Sequence, residues 1–455
     1  MPTVLLIAPG YPPGNPVGAE RIIKFEKFLP EFGFQTCVLT MAGQGRLPSD
    51  TIKRVYRAVE PGQLYRPLAQ RLFRYTQRTA LQPSLVPQAP SRRGMFEGTS
   101  LQSLRNWILD WFAIPDLQIT WLPAAVWRGL QAIQAEHVDI ILSSSPSESA
   151  HLVAVCLAAM THKAWVADFR DGWLFEPLKQ VLQRNPLRRR LEKYLERLVV
   201  SRADAVVSVS QPITDYFCRV YPACRAKFHT ITNGYDPEDW QDLTPVPRDP
   251  SKLRIVYTGA FSQSRTTQDP RPFLHALQAL PGSVRGKLAV LLLGEFSEPE
   301  QNYLAALDLG DVIQVMGWMS KKVSLAYQLS ADVLLLVASG AKSVATSKLY
   351  EYLYAGRPIL AVSAVDTAAA VIVRQSQAGW VVDGTDSQAI VDCLMMIFDY
   401  WQQKKLVSKT THIERYHRRD LTRHLACLLD TVMTNTSKGV EGKNTFTSTS
   451  ITTIE

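Results

Sequence analysis

The sequence predicts an α/β protein of two doubly wound, Rossmann-like domains, and three observations carry that prediction. Short, nearly uninterrupted apolar runs alternate with helix-periodic segments along most of the chain, as parallel strands covered on both faces do. The alternation stops once, in the Pro-rich stretch Thr244–Pro250, and then resumes. At 455 residues the chain is too long for one ordinary core and suits two or three domains.

Taken in order, strands are expected at Val4–Ala8, Gln35–Thr40, Asp139–Ser144, Ala164–Phe169, Ala205–Ser210 and Phe228–Thr232. Between the first two lies a helix over Arg21–Leu29, where Ile22, Phe25 and Leu29 recur at helical spacing. After the Pro-rich break, strands are expected at Leu253–Tyr257, Leu288–Leu293, Val312–Met316, Asp332–Val337, Pro358–Val362 and Trp380–Asp383. The helical stretch Ile390–Met433 is too long for one ordinary straight helix. From Thr434 the chain holds ten Ser/Thr in 22 residues and little to bury, so the tail is expected to be disordered. The resulting division is 1–245, with an insertion at 42–127, then 251–400, a terminal helix at 401–433 and the tail at 434–455. Ligand sites in such sheets lie at the carboxyl ends of the strands, here in the crevice between the two domains.

The net charge is +9, yet its distribution excludes a nucleic-acid reading. Between Ala42 and Ile108 eleven Lys/Arg face Asp50, Glu60 and Glu97, a net of +8, and no nucleic-acid-binding motif accompanies them. Leu68, Leu72 and Tyr75 share one helical face there, and Arg71, Arg74 and Arg78 a neighbouring one, with Trp107, Trp111, Trp121 and Trp127 following. This suits either an anionic membrane surface or a helix packed on the first domain with a solvated Arg face. The six cysteines show no C-x-x-C spacing and mostly lie in apolar runs, which favours a reducing compartment. No run approaches the ~18–20 apolar residues of a membrane span. The expectation is a cytoplasmic protein, with a possible peripheral contact on the inner face of the membrane.

Five loops follow strands and carry groups suited to chemistry. The first, Pro9–Arg21, includes Gly18 and leads into a helix whose N-terminus can receive an anion; an ordinary Gly/Pro loop fits equally. Its glycines lack the G-x-G-x-x-G spacing of dinucleotide-binding proteins. After Ser144, Ser147 or Ser149 can cap a helix that places His151 in its first turn. The positive helix end keeps that ring neutral, able to accept a proton or bond a sugar hydroxyl. Trp165–Trp173 gathers Asp168, Arg170, Asp171 and two indoles at a strand end, either to orient hydroxyls or phosphates or as an internal Asp–Arg brace. Tyr257–Arg265 contains Gly259 and one cation. Finally, Thr346–Ile359 starts a helix with Thr346 or Ser347 as cap, closed by Gly356. Lys348 and the first-turn N–H groups suit a diphosphate, and Glu351 one turn later suits ribose hydroxyls or simply the helix dipole.

Six segments, in this order, resemble the family 4 type of GT-B-fold glycosyltransferases: YPP…GAER, SSSPSESAHL, WVADFRDGW, ADAVVSVS…ITNGYDPEDW, YTGAF…R and SKLYEYLYAGRPILA. The resemblance covers residue 3 to about 430. It implies an N-terminal acceptor domain and a C-terminal nucleotide-sugar domain, with RYHRRDLTRHLACLL as a helix returning to the first. It implies sugar transfer from a UDP-, GDP- or ADP-sugar to a glycan or lipid-linked acceptor, with retention and without a metal or other cofactor. On this basis Gly18 approaches the donor phosphates, His151 lies near the transferred sugar, and Arg265 and Lys348 hold the leaving diphosphate. Glu351 matches the later glutamate of the family's pair, whose earlier member is replaced here by Ser343. His151 and Asp171 would position hydroxyls, while Arg170, Gly259 and Ser347 complete the binding set. Two other classes would use a similar frame: a nucleotide-sugar epimerase, or a silent nucleotide-sugar-binding protein.

Overall fold

The computed structural model describes residues 1–12, 16–42, 54–60, 114–176, 185–259, 261, 269–338 and 341–444. The chain forms two compact units. One comprises Met1–Val209, Thr214–Ile231 and Thr422–Glu455, the other Ser210–Ile213 and Thr232–Leu421.

The first unit is built on seven parallel strands: β1 (Thr3–Ile7), β2 (Gln35–Met41), β3 (Val55–Ala58), β4 (Ile140–Ser144), β5 (Ala164–Phe169), β6 (Ala205–Ser208) and β7 (Phe228–Thr230). Their order is β3-β2-β1-β4-β5-β6-β7, so the direction of winding reverses between β1 and β4. Every residue of β1, β4, β5 and β6 is buried, which explains their unbroken apolar runs. Among the described residues its helices include α1 (Pro16–Phe28), α2 (Leu122–Ala135), α3 (Ser149–Thr161), α4 (Pro186–Arg202) and α5 (Gln211–Val220).

Strand β3 lies inside the segment read from sequence as an insertion. Its four residues pair in parallel with β2, Val38 opposite Val55 and Met41 opposite Ala58. Trp121 Nε1 donates to the Ala58 carbonyl at 3.2 Å and Arg128 Nε to the Arg57 carbonyl at 3.3 Å, tying this edge to α2 and the 3₁₀ turn before it. Trp121 is fully buried, so it belongs to the core and not to a membrane-facing group; Trp127 is exposed. The helix expected around Leu68–Arg78, Trp107 and Trp111 lie outside the described residues.

The second unit holds six parallel strands: β8 (Leu253–Thr258), β9 (Leu288–Leu293), β10 (Ile313–Gly317), β11 (Val333–Ala338), β12 (Ile359–Ser363) and β13 (Gly379–Val382). The order β10-β9-β8-β11-β12-β13 repeats the winding of the first sheet. Its principal helices are α6 (Arg271–Ala279), α7 (Glu298–Ala306), α8 (Lys321–Ser330), α9 (Ser347–Ala355), α10 (Ala368–Gln375) and α11 (Ser387–Gln402). One apolar cluster joins Phe273, Leu277, Ile390 and Ile397 to one face of the sheet. Another joins Leu349, Tyr352, Leu353 and Val373 to the opposite face.

The chain enters this unit at Thr232, ahead of the Pro-rich stretch. Tyr235 N donates to the Tyr416 carbonyl at 3.0 Å and Arg418 N to the Tyr235 carbonyl at 2.8 Å, which binds the entry segment to the exit segment. The long terminal helical pattern is two helices, because the chain breaks between Gln402 and a short 3₁₀ turn at Glu414–Tyr416. The second, α12 (Arg418–Asn444), runs past Thr434 into the stretch whose composition suggested a tail. From Thr422 it belongs to the first unit, where Leu425, Ala426 and Leu429 are buried.

Candidate active site

In the second unit the candidate groups collect at the carboxyl end of β8 and the start of α9. Gly259 follows β8 with φ +111°, and a Cβ there would stand 2.8 Å from Lys348 Nζ. Glycine therefore serves both the backbone conformation and the passage of the lysine. Lys348 Nζ donates to the Tyr257 hydroxyl at 3.1 Å and lies 4.3 Å from that ring's centroid. Burial pulls its pKa down to about 8, and the Glu351 carboxylate opposes the shift.

Helix α9 follows from its sequence. Leu349, Tyr350, Tyr352 and Leu353 are buried, so Lys348 and Glu351, three apart, share the other face. Tyr352 pins the helix to β8, its hydroxyl accepting from Thr258 N at 2.9 Å and sharing a proton with Thr258 Oγ1 at 3.0 Å. Thr346 is the N-cap residue, but its side chain makes no cap bond to the positive end at Ser347 and Lys348. Gly356 closes the helix in the left-handed conformation (φ +65°), as its position suggested. Glu351 accepts from Gln328 Nε2 at 3.2 Å and stands 3.9 Å from Lys321 Nζ. Lys321, bound also to Asp239 at 2.9 Å, was not singled out in the sequence. Its signal is the start of α8 directly after a strand. Ser343 is buried, and Arg265 lies outside the described residues.

In the first unit, Gly18 falls in the first turn of α1. Further along that helix, Arg21 reaches Asp168 at the end of β5 with a two-pronged contact of 2.8–3.2 Å, both side chains only 1% exposed. Ser144 Oγ donates to the same carboxylate at 2.7 Å, and Arg21 donates to the Ile231 carbonyl at 2.8 Å. The brace that the sequence placed inside Trp165–Trp173 is thus made with a partner from the first helix. Arg170 and Asp171, part-exposed beyond it, are electrostatic neighbours; burial lowers the arginine's pKa while Asp171 supports its charge.

His151 occupies the first turn of α3 and is fully buried. Trp165 Nε1 donates to Ser143 Oγ at 2.8 Å, and Ser143 Oγ lies 2.8 Å from His151 Nδ1. Indole N–H can only donate, so the serine oxygen accepts from Trp165 and shares a hydrogen bond with Nδ1 of a ring whose other nitrogen is Nε2. That Nε2 is buried without a partner. Burial lowers the ring's pKa to about 4, so it is neutral. Desolvation is the largest cause, opposed by the Asp168 and Asp116 carboxylates, and the ring packs 4.5 Å from Phe169.

Two further expectations change here. Asp116, not Ser147 or Ser149, serves the start of α3: Ser149 N and Oγ donate to it at 3.0 and 2.7 Å. Both indoles of Trp165–Trp173 are buried, and Trp173 Nε1 donates to Glu192 at 2.9 Å, so neither offers a face to a sugar. Among the described residues no group of three or more His, Cys, Asp or Glu could hold a metal ion. None of the six cysteines is disulfide-bonded.

Two family models match the chain: Glycosyltransferase Family 4 over residues 107–239, and Glycosyl transferases group 1 over 252–399. No curated protein sequence matches it. Sucrose-phosphate synthase from Thermosynechococcus elongatus is 14% identical, with a TM-score of 0.66 over 96% of this chain and 100% of that one. Anabaena Alr3699/HepE, solved with UDP and glucose, is 15% identical, with a TM-score of 0.55 over 97% and 100%. WaaG, a glycosyltransferase involved in lipopolysaccharide biosynthesis, is 14% identical, with a TM-score of 0.54 over 93% and 95%. The chain is a glycosyltransferase of the GT-B fold.

Proposed function

We propose that the protein transfers a sugar from a nucleotide-sugar donor to a glycan or lipid-linked acceptor, with retention and without a metal. The observation that carries this reading is Lys348, set against Gly259 at an N-terminus that Thr346 does not cap, with Glu351 one turn further along. The complex of Alr3699/HepE with UDP and glucose supports a donor of this class.

As the bond from the anomeric carbon to the diphosphate oxygen breaks, negative charge grows on the leaving group. The Lys348 ammonium, the start of α9 at Ser347 and, in this reading, Arg265 are fixed positive groups that stabilise it. Glu351 accepts the ribose hydroxyls. The acceptor hydroxyl oxygen bonds to the anomeric carbon on the face the diphosphate leaves, and its proton passes to a departing phosphate oxygen. In this reading Gly18 lets the first turn of α1 approach the phosphates, while Arg170 and Asp171 orient sugar or acceptor hydroxyls. His151, with no exposed atom, acts as a positioning residue that ties α3 to the end of β4 through Ser143, which in turn accepts from Trp165 of β5.

The test is a thermal-shift screen of the purified protein against UDP-, GDP- and ADP-sugars, followed by mass spectrometry of products with candidate acceptors. Stabilisation by one nucleotide sugar and an acceptor mass increased by one sugar are expected. Consumption of the donor without any acceptor would indicate an epimerase, and no stabilisation by any nucleotide would overturn the reading.

A further inference from the structure

Helix α4 carries its charges the wrong way round for an ordinary surface helix. Its buried face holds Arg188, Glu192 and Glu196 with Val199 and Val200. Both acids are fully buried and engaged there. Glu192 accepts from Arg188 Nε and Trp173 Nε1, each at 2.9 Å. Glu196 accepts from Leu174 N at 3.0 Å, Tyr221 at 2.8 Å and Tyr216 at 3.3 Å.

The outward face is left with the opposite chemistry. Leu187, Leu191 and Tyr194 are 55%, 39% and 64% exposed, and with part-buried Leu198 they recur at i, i+4, i+7 and i+11, a single stripe. Arg190, Arg197 and Arg202 are exposed on the two flanks of that stripe, Arg189 and Lys193 are exposed further round the helix, and α4 exposes no carboxylate. Water alone gives no reason for a surface helix to bury its acids and expose leucines. A basic face around an apolar stripe is complementary to a surface with anionic headgroups over hydrocarbon, where leucine and tyrosine enter the interface and the cations meet phosphate.

We propose that the outward face of α4 docks the protein on an anionic lipid surface. The site differs from the basic segment at 42–127, and it does not depend on the glycosyltransfer chemistry. The occupant is the lipid surface itself, since a nucleic acid would use the arginines and leave the leucine–tyrosine stripe without a role.

Co-sedimentation of the full-length protein with vesicles tests this, comparing phosphatidylcholine alone with phosphatidylcholine containing phosphatidylglycerol, at low and high salt. Binding only to the anionic vesicles, weakened by salt, is expected. Each basic residue near such a surface contributes about fivefold to partitioning, so R190A/R197A/R202A should lose well over tenfold. L187S/L191S/Y194S should lose binding too, while four Arg-to-Lys changes at Arg189, Arg190, Arg197 and Arg202 should keep it. All these positions are exposed, and unchanged thermal unfolding verifies that each variant is folded. The proposal is overturned if the wild-type protein ignores anionic vesicles, or if it binds RNA but not vesicles. It is also overturned if binding survives both α4 variants and is lost instead in R71A/R74A/R78A.

Discussion

At the scale of single residues, Lys348 gives the most specific expectation. Its ammonium is the form that stabilises a leaving diphosphate, and burial brings its pKa to about 8 in the unliganded protein. The charge is present below that value and lost above it, so kcat/KM for the donor should fall as pH rises through about 8. Lys348→Arg keeps its charge throughout, and its pH–rate profile should lack that limb. The Arg21–Asp168 pair gives a second expectation. Asp168→Asn leaves a buried guanidinium without its counter-charge, which should destabilise the protein by about 3–5 kcal/mol in denaturant titrations. The two sites differed in legibility for a physical reason. Gly259, Lys348 and Glu351 announce themselves through a strand end and a helix start, signals confined to a few neighbouring residues. Arg21 and Asp168 are 147 positions apart, and only the winding of the sheet brings them together. The full burial of His151 is equally hidden, because its partner Ser143 and that serine's own donor, Trp165, come from two different strands.

At the scale of elements, α4 connects stability to pH through Glu196. Burial pushes this carboxyl up to about 7, against the hydrogen bonds of Tyr221, Leu174 and Tyr216. An acid whose folded pKa lies above its unfolded value binds its proton more tightly in the native state. Stability should therefore fall as pH rises from about 4.5 to about 7 and then level off, and Glu196→Gln should remove that contribution. Thermal unfolding of both proteins across this range measures it. Every strand read from an apolar run is present within two residues at each end, because burial on both faces of a parallel sheet imposes that composition. The exception is β3, whose Val-Tyr-Arg-Ala carries an arginine that an edge strand tolerates and a central one would not. The start of α3 is hidden for a similar reason: Asp116, which accepts from Ser149 N, lies 33 positions away.

At the scale of the whole molecule, the same strand order appears in both units, and the candidate groups of each stand at the carboxyl ends of its strands. Among the described residues no helix is long and apolar enough to cross a membrane. The terminal helix belongs to the first unit's core from Thr422 onward, where Leu425 and Leu429 are fully buried. Leu425→Ala or Leu429→Ala should each reduce unfolding free energy by about 2–5 kcal/mol, a loss that denaturant titration would detect. The central claim is that the start of α9 stabilises the leaving group of a nucleotide-sugar donor. Single-turnover kinetics of the wild-type protein and Lys348→Ala, at saturating donor and with the acceptor identified by product mass, tests it most directly. The account predicts that the variant still binds donor while its chemical step slows by about 10²–10³-fold. Turnover in Lys348→Ala equal to that of the wild type would contradict it.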